Sequence, residues 1–363
     1  MNLFDAFKDP QLCRNLLEIL KKESDKPLRF MEVCGTHTVA IFQSGLRGLL
    51  PENIIHLTGP GCPVCVTHES EVAAFLDAAG KDGVILATFG DLMRVPGPKG
   101  RSLKEAQAEG ARVEVVYSPF DAVALAARNP DAKVVFLGVG FETTAPTVAA
   151  TVKIAREQGL KNFMIMSFHK LVPPALDALM ADKDTSIDAF ILPGHVSAII
   201  GKAPYEPLAS VHNIPAVITG FEPMDILQAL IHITRMRASG KPAVVNEYGR
   251  VVPDAGNAKA LSVMYEVFSP ADALWRGLGR IPQSGLVLSE AYEEFDAFKR
   301  LDVTLQESPP LPGCRCGEVL KGKMAPDQCP LFGKACTPAS PVGPCMVSTE
   351  GGCAAYYKYR LEL

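Results

Sequence analysis

Eight short runs of aliphatic and β-branched residues recur through the first 219 positions: Leu28–Val33, Ile54–Leu57, Val84–Ala87, Val113–Tyr117, Val134–Val139, Phe163–Met166, Ala189–Leu192 and Ala216–Thr219. Between them lie amphipathic segments of helical period, for example Glu71–Ala79 and Pro174–Met180. Strands that alternate with helices at this spacing join through right-handed crossovers, so the pattern predicts α/β units with parallel sheets.

The runs fall into two sets of four that correspond in detail. FMEVCGTHT (30–38) aligns with FLGVGFETT (136–144), and SPFDAV (118–123) with EPMDIL (222–227), at offsets of 106 and 104. A repeat of about 105 residues is the size of one small α/β domain. The expectation is two tandem, similar α/β domains whose parallel sheets face a cleft. Residues 1–128 would hold an N-terminal helix and the first domain, and 129–231 the second. Residues 232–363 would form a mostly helical connection, with a loop over 246–257, and then a cysteine-rich domain. Loops at strand C-termini line clefts of this kind. CGTHT, GPGCPVC (59–65) and GVGFETTAP all stand at such ends.

The bulk properties limit the function. The net charge of −4 gives no support for the basic surface that nucleic acid requires, so none is expected as a partner. No apolar run reaches the ~18 residues of a membrane span. The stretch MNLFDAFKDPQLC has no basic region followed by an apolar one, so export is not expected. Ten cysteines then point to metal or redox chemistry in the reducing cytoplasm.

Six of those cysteines lie at 314, 316, 329, 336, 345 and 353, in a stretch where Pro and Gly make up one third of residues 309–353. A segment so broken cannot bury enough apolar surface to fold unaided, and a multiply ligated metal centre would supply the missing cross-links. No histidine follows His232, so a zinc site would need four cysteines. Structural zinc normally takes C-x(2–4)-C knuckles, whereas here one C-x-C is followed by spacings of 12, 6, 8 and 7 residues. Iron–sulfur clusters accept such loops, so spacing favours iron–sulfur over zinc, with disulfides third. Cys62 and Cys65, wrapped in Gly and Pro, can exchange electrons as a dithiol, hold a metal or act as a nucleophile.

CGTHT, GPGCPVC, GFETT and the C-terminal GCRCGEVL, CPLFGKAC and GPCMVSTEGGCAAYYKY together resemble the HypD family of NiFe-hydrogenase maturation proteins. The resemblance runs from about Phe30 to the C-terminus and implies two α/β domains plus a small domain with a 4Fe-4S cluster. It also implies a complex with the small chaperone HypC, on which an Fe(2+) unit carrying cyanide and carbon monoxide, Fe(CN)2(CO), is assembled with cyanide delivered by HypE. The family-like C-x14-C-x6-C-x16-C spacing assigns Cys314, Cys329, Cys336 and Cys353 to the cluster. Cys316 and Cys345 are left as a nearby redox pair.

On the same basis Cys34 resembles the family's iron-binding cysteine. His37 becomes a ligand, a proton donor or simply a helix-start histidine bonded to the backbone. Glu142, Thr143 and Thr144 become groups facing Cys34 across the cleft, or merely a helix N-cap. Cys62 and Cys65 become a redox-active pair that can also ligate iron, their pKa lowered by a helix starting near Thr67. His169, His195, Asp91, Arg94 and Glu222 are further candidates, and Cys13 is expected to be packed. Two other classes stand beside assembly. One is an iron–sulfur-dependent thiol–disulfide oxidoreductase, which would need the pair but not Cys34. The other is a two-lobed small-molecule enzyme, for which neither G-x-G-x-x-G nor a Walker A sequence is present.

Overall fold

The computed structural model describes residues 5–359; the outer ends of the first and third sequence segments lie outside them. All eight apolar runs are strands: β1 (Leu28–Glu32), β2 (Ile54–Thr58), β3 (Val84–Thr88), β4 (Arg112–Val115), β5 (Lys133–Gly138), β6 (Phe163–Ser167), β7 (Ala189–Pro193) and β8 (Ala216–Thr219). They are followed by β9 (Val244–Asn246), β10 (Phe268–Trp275) and β11 (Gly279–Leu288). The fold is α/β with two parallel sheets, β2-β1-β7-β8-β9 and β4-β3-β5-β6.

The sheets do not follow the division at 128/129. β1 pairs with β7, Phe30 opposite Ala189, and β3 pairs with β5, Val84 opposite Lys133. Each sequence repeat therefore gives two strands to each sheet. Aligned by repeat, β2-β1-β7-β8 matches β6-β5-β3-β4, so both sheets have the same order. The chain changes sheet through the helix Glu69–Ala79 and returns through the helix Val172–Ala181.

Parallel sheets need cover on both faces, which is why their strands are nearly continuous apolar runs. In the second sheet Ile85, Ala87, Val134, Phe136, Phe163 and Ile165 enter one core. Their neighbours Val84, Leu86, Val135, Leu137, Met164 and Met166 enter another, as the period of two requires.

One expectation needs correction. The region 232–307 is not mostly helical: the helices Pro223–Ser239 and Ala258–Val267 give way to the antiparallel hairpin β10–β11. Its tip turns on Gly277 and Gly279, both with positive φ, a conformation open to glycine at little cost. The cysteine-rich tail packs against the first sheet. Cys316, Phe332, Cys336, Cys345, Cys353 and Tyr356 share one core with Met31, Leu57 and Cys65 of the first sheet and its loops. Arg47 lies over both the Phe42 and Tyr356 rings and so joins the tail helix Gly352–Tyr359 to the helix Gly35–Gln43. Among the described residues no helix is long and apolar enough to cross a membrane.

Candidate functional site

The β1 strand ends in a buried carboxylate that shapes the loop after it. One Glu32 oxygen accepts the Cys34 N–H at 3.0 Å and the other the Thr38 hydroxyl at 2.6 Å. Burial raises the Glu32 carboxyl well above its ordinary range. This bonding leaves Cys34 extended, at the N-cap of the helix Gly35–Gln43. The loop after β2 lies against it: Gly59 N–H donates to Glu32 O at 3.0 Å and Gly35 N–H to Gly61 O at 3.1 Å. A side chain at Gly61 would strike the Cys34 backbone, so this approach requires glycine.

Cys62 caps the short helix Pro63–Val66, its sulfur accepting the Cys65 N–H at 3.4 Å. It opens on a cleft of about 530 Å³, shared with Asp91 and Thr144 from loops of the second sheet and with Ser348–Glu350 from the tail. The cleft therefore has a third wall that the two sheets do not supply. Glu350 accepts a hydrogen bond from the Thr36 hydroxyl at 3.0 Å. Sequence reasoning followed the tail cysteines and missed this carboxylate; the available signal was its place in STEGGC, beside Cys353.

Cys65 turns the other way and is 1% exposed. Burial pushes its thiol well above the ordinary value, outweighing any helix N-terminus and reversing the expectation for that thiol. The Cys34 thiol is likewise pushed up by burial, to about 11. The helix Pro63–Val66 packs on the turn Pro344–Met346, Cys345 shares one core with Cys65, Cys316 and Cys353, and the sulfurs of Cys314 and Cys316 both lie beside Gly343. A continuous run of thiols thus leads from the Cys62–Cys65 loop into the tail. There Cys314, Cys316, Cys329, Cys336 and Cys353 line a single small cavity of about 20 Å³.

The lining of that cavity fits a sulfur-ligated cluster. Its donors are all soft thiols, the ligand type of iron–sulfur centres. A Cβ at Gly343 would run into the Cys314 sulfur and crowd that of Cys316, so glycine keeps the space beside them clear. Cys336 Sγ also accepts the Val342 N–H at 3.3 Å, the kind of N–H···S contact that stabilises a thiolate ligand. Among the described residues no three His, Cys, Asp or Glu side chains converge on a point set for one metal ion.

The profile described as HypD: Hydrogenase formation hypA family matches residues 11–360. The chain belongs to the HypD family. It is 46% identical to the hydrogenase maturation factor HypD of Escherichia coli K12 over 100% of this chain and 99% of that relative. It is 43% identical to the hydrogenase maturation factor HypD of Rhodobacter capsulatus over 99% of this chain and 98% of the relative. A putative hydrogenase expression/formation protein of Methanocaldococcus jannaschii is 42% identical, with 97% and 98% covered.

In this HypD-family chain the GFETT residues separate. Thr144 lines the cleft, Thr143 is exposed, and Glu142 turns inward, one oxygen accepting the Val172 N–H at 2.9 Å. Its other oxygen is buried without a partner, and burial raises this carboxyl to about 7. His37 is held from Nε2 to Gly220 O at 2.8 Å and packs on Phe221, the backbone-bonded arrangement. Burial lowers its pKa to about 4. His195 is exposed and stacks on the same Phe221 ring.

The remaining candidates are mostly structural. His169 is buried, with Nδ1 3.0 Å from the Ser167 hydroxyl and its ring against Gly138. Arg94 donates to Pro338 O and Val347 O and so ties the tail to the second sheet. Glu222 caps the helix Pro223–Ser239 in a box with Asp225. Cys13 packs at the edge of the core beneath the first sheet.

Proposed function

We propose that this chain is a hydrogenase maturation factor on which the Fe(CN)2(CO) unit of a NiFe-hydrogenase active site is built, in complex with a HypC-like small chaperone. A HypE-like protein supplies the cyanide. One observation carries the reading: the run of thiols that joins a loop-built cleft to a cysteine-lined cavity. Cys34 anchors the iron substrate as a soft donor suited to strong-field cyanide and carbonyl ligands. The remaining ligand comes from the partner, which lets the product leave with it. Glu350, held by the Thr36 hydroxyl, and Thr144 orient what enters the cleft.

Cys314, Cys329, Cys336 and Cys353 would hold the 4Fe-4S cluster, with Cys316 and Cys345 as the intervening pair. The cluster, when bound, supplies electrons one at a time. Cys62 and Cys65 supply two together. If cyanide arrives as a protein-bound thiocyanate, two electrons break its S–C bond to give cyanide and a thiolate. The dithiol becomes a disulfide and releases two protons. The oxidoreductase reading shares this relay but gives no role to Cys34 and its buried Glu32 support.

Thiol labelling before and after mild reduction should show Cys62 and Cys65 changing state together. Cys62→Ala and Cys65→Ala chains should keep normal iron and sulfide yet fail to mature hydrogenase. Normal maturation rates in both would refute the redox role.

A further inference from the structure

The tip of the β10–β11 hairpin lies between the Cys62–Cys65 segment and the tail, and its side chains have no part in the reading above. Trp275 forms an antiparallel bridge with Thr67, immediately after the dithiol helix. Arg276 then commits three donors to that segment. Its N–H donates to Val66 O at 2.9 Å, its Nε to Thr67 O at 2.8 Å, and Nη1 to the Glu69 carboxylate. Gly277, next in sequence, lies so close to Gly317 that a Cβ on it would collide. Gly317 follows Cys316. The tip is thus fastened to the dithiol segment on one side and to the Cys316 turn on the other.

We propose that Arg276 is a positioning residue that holds Cys65 in register with Cys345. This inference rests on the thiol-relay reading and adds the device that sets its geometry. Arg276 is 3% exposed, and Nη2 is buried without a partner. A buried ion pair with an unused donor is a poor source of stability, since apolar packing of the same volume does as well. Its distinctive property is direction: a planar guanidinium presents its donors to two acceptors in a rigid fork, whereas the donors of a lysine rotate freely. Here the two acceptors are Thr67 O, two residues beyond Cys65, and Glu69, at the start of the next helix. Arg276 also shares a cavity of about 280 Å³ with Cys314 and Cys316, so one group borders both ends of the relay.

The test measures register directly and needs neither hydrogenase nor partner. In the full-length, anaerobically purified Cys62→Ala chain, diamide should oxidise Cys65 and Cys345 to a disulfide, detected by peptide mapping. Adding Arg276→Gln or Arg276→Lys should slow this step at least tenfold. In a Cys65→Ala chain, the Cys316–Cys345 disulfide should form at an unchanged rate with either Arg276 substitution. Cross-linking of Cys65 to Cys345 at the parental rate in Arg276→Gln would overturn the proposal. Equal slowing of both pairs would also overturn it, because Arg276 would then be only a structural support. Iron and sulfide analysis of the unsubstituted chain separates the two readings: a chain that takes up no cluster refutes the relay, while the cross-linking result still decides the role of Arg276.

Discussion

Glu142 shows how a residue can be found in the sequence and its role still be hidden. GFETT marked it as a site residue, yet the structure turns its carboxyl into the core and leaves one oxygen without a partner. Sequence spacing names a loop but does not say which of three successive side chains faces the cleft. The environment gives a direct prediction. A carboxyl raised from 4.5 to about 7 contributes stability that is present below pH 4.5 and lost as the pH rises through 7. The loss is on the order of 3 kcal/mol. Glu142→Gln keeps the acceptor for Val172 and removes the charge. Its melting temperature should therefore gain on the parent between pH 5 and 8. A difference that stays constant across that range would show that Glu142 is not held neutral. Glu350 is the opposite case. Its place in STEGGC beside Cys353 is a weak local signal, and it is the docking of the tail that brings it to the cleft.

At the scale of elements, buried strands were the most legible feature. All eight runs are strands because a parallel strand covered on both faces must be apolar almost throughout. The β10–β11 hairpin was not legible, because its burial is irregular and Pro270 and Pro282 interrupt the alternating pattern. The tail was read correctly as short of regular structure and rich in thiols. Its packing into the core of the first sheet depends on long-range contacts that local sequence does not encode. Cys314 and Cys316 are neighbours in space, both beside Gly343, so the division of the six thiols rests on the family-like spacing. We predict that Cys316→Ala and Cys345→Ala chains retain the full iron and sulfide content after anaerobic purification. Loss of the cluster in either would transfer that cysteine to the ligand set.

At the scale of the molecule, the internal repeat was visible while its assembly was not. Alike repeats have alike strand surfaces, so the apolar pattern fixes burial without choosing the neighbour. The chain uses that freedom to exchange strand pairs, which ties the two sheets together and sets loops from both around one cleft. Residues 1–128 alone contain only the β1–β2 and β3–β4 pairs. They should show no cooperative unfolding by themselves, and should assemble when co-produced with residues 129–363. Cooperative melting of the first fragment alone would contradict the exchange. The central claim is that this interleaved frame presents Cys34 as the anchor for iron during assembly. Infrared spectroscopy of the chain purified with its small partner tests it most directly. The account predicts bands of iron-bound cyanide and carbon monoxide in the parent complex. In a Cys34→Ala complex that still binds the partner and retains the tail cluster, those bands should be absent; finding them at normal intensity would contradict it.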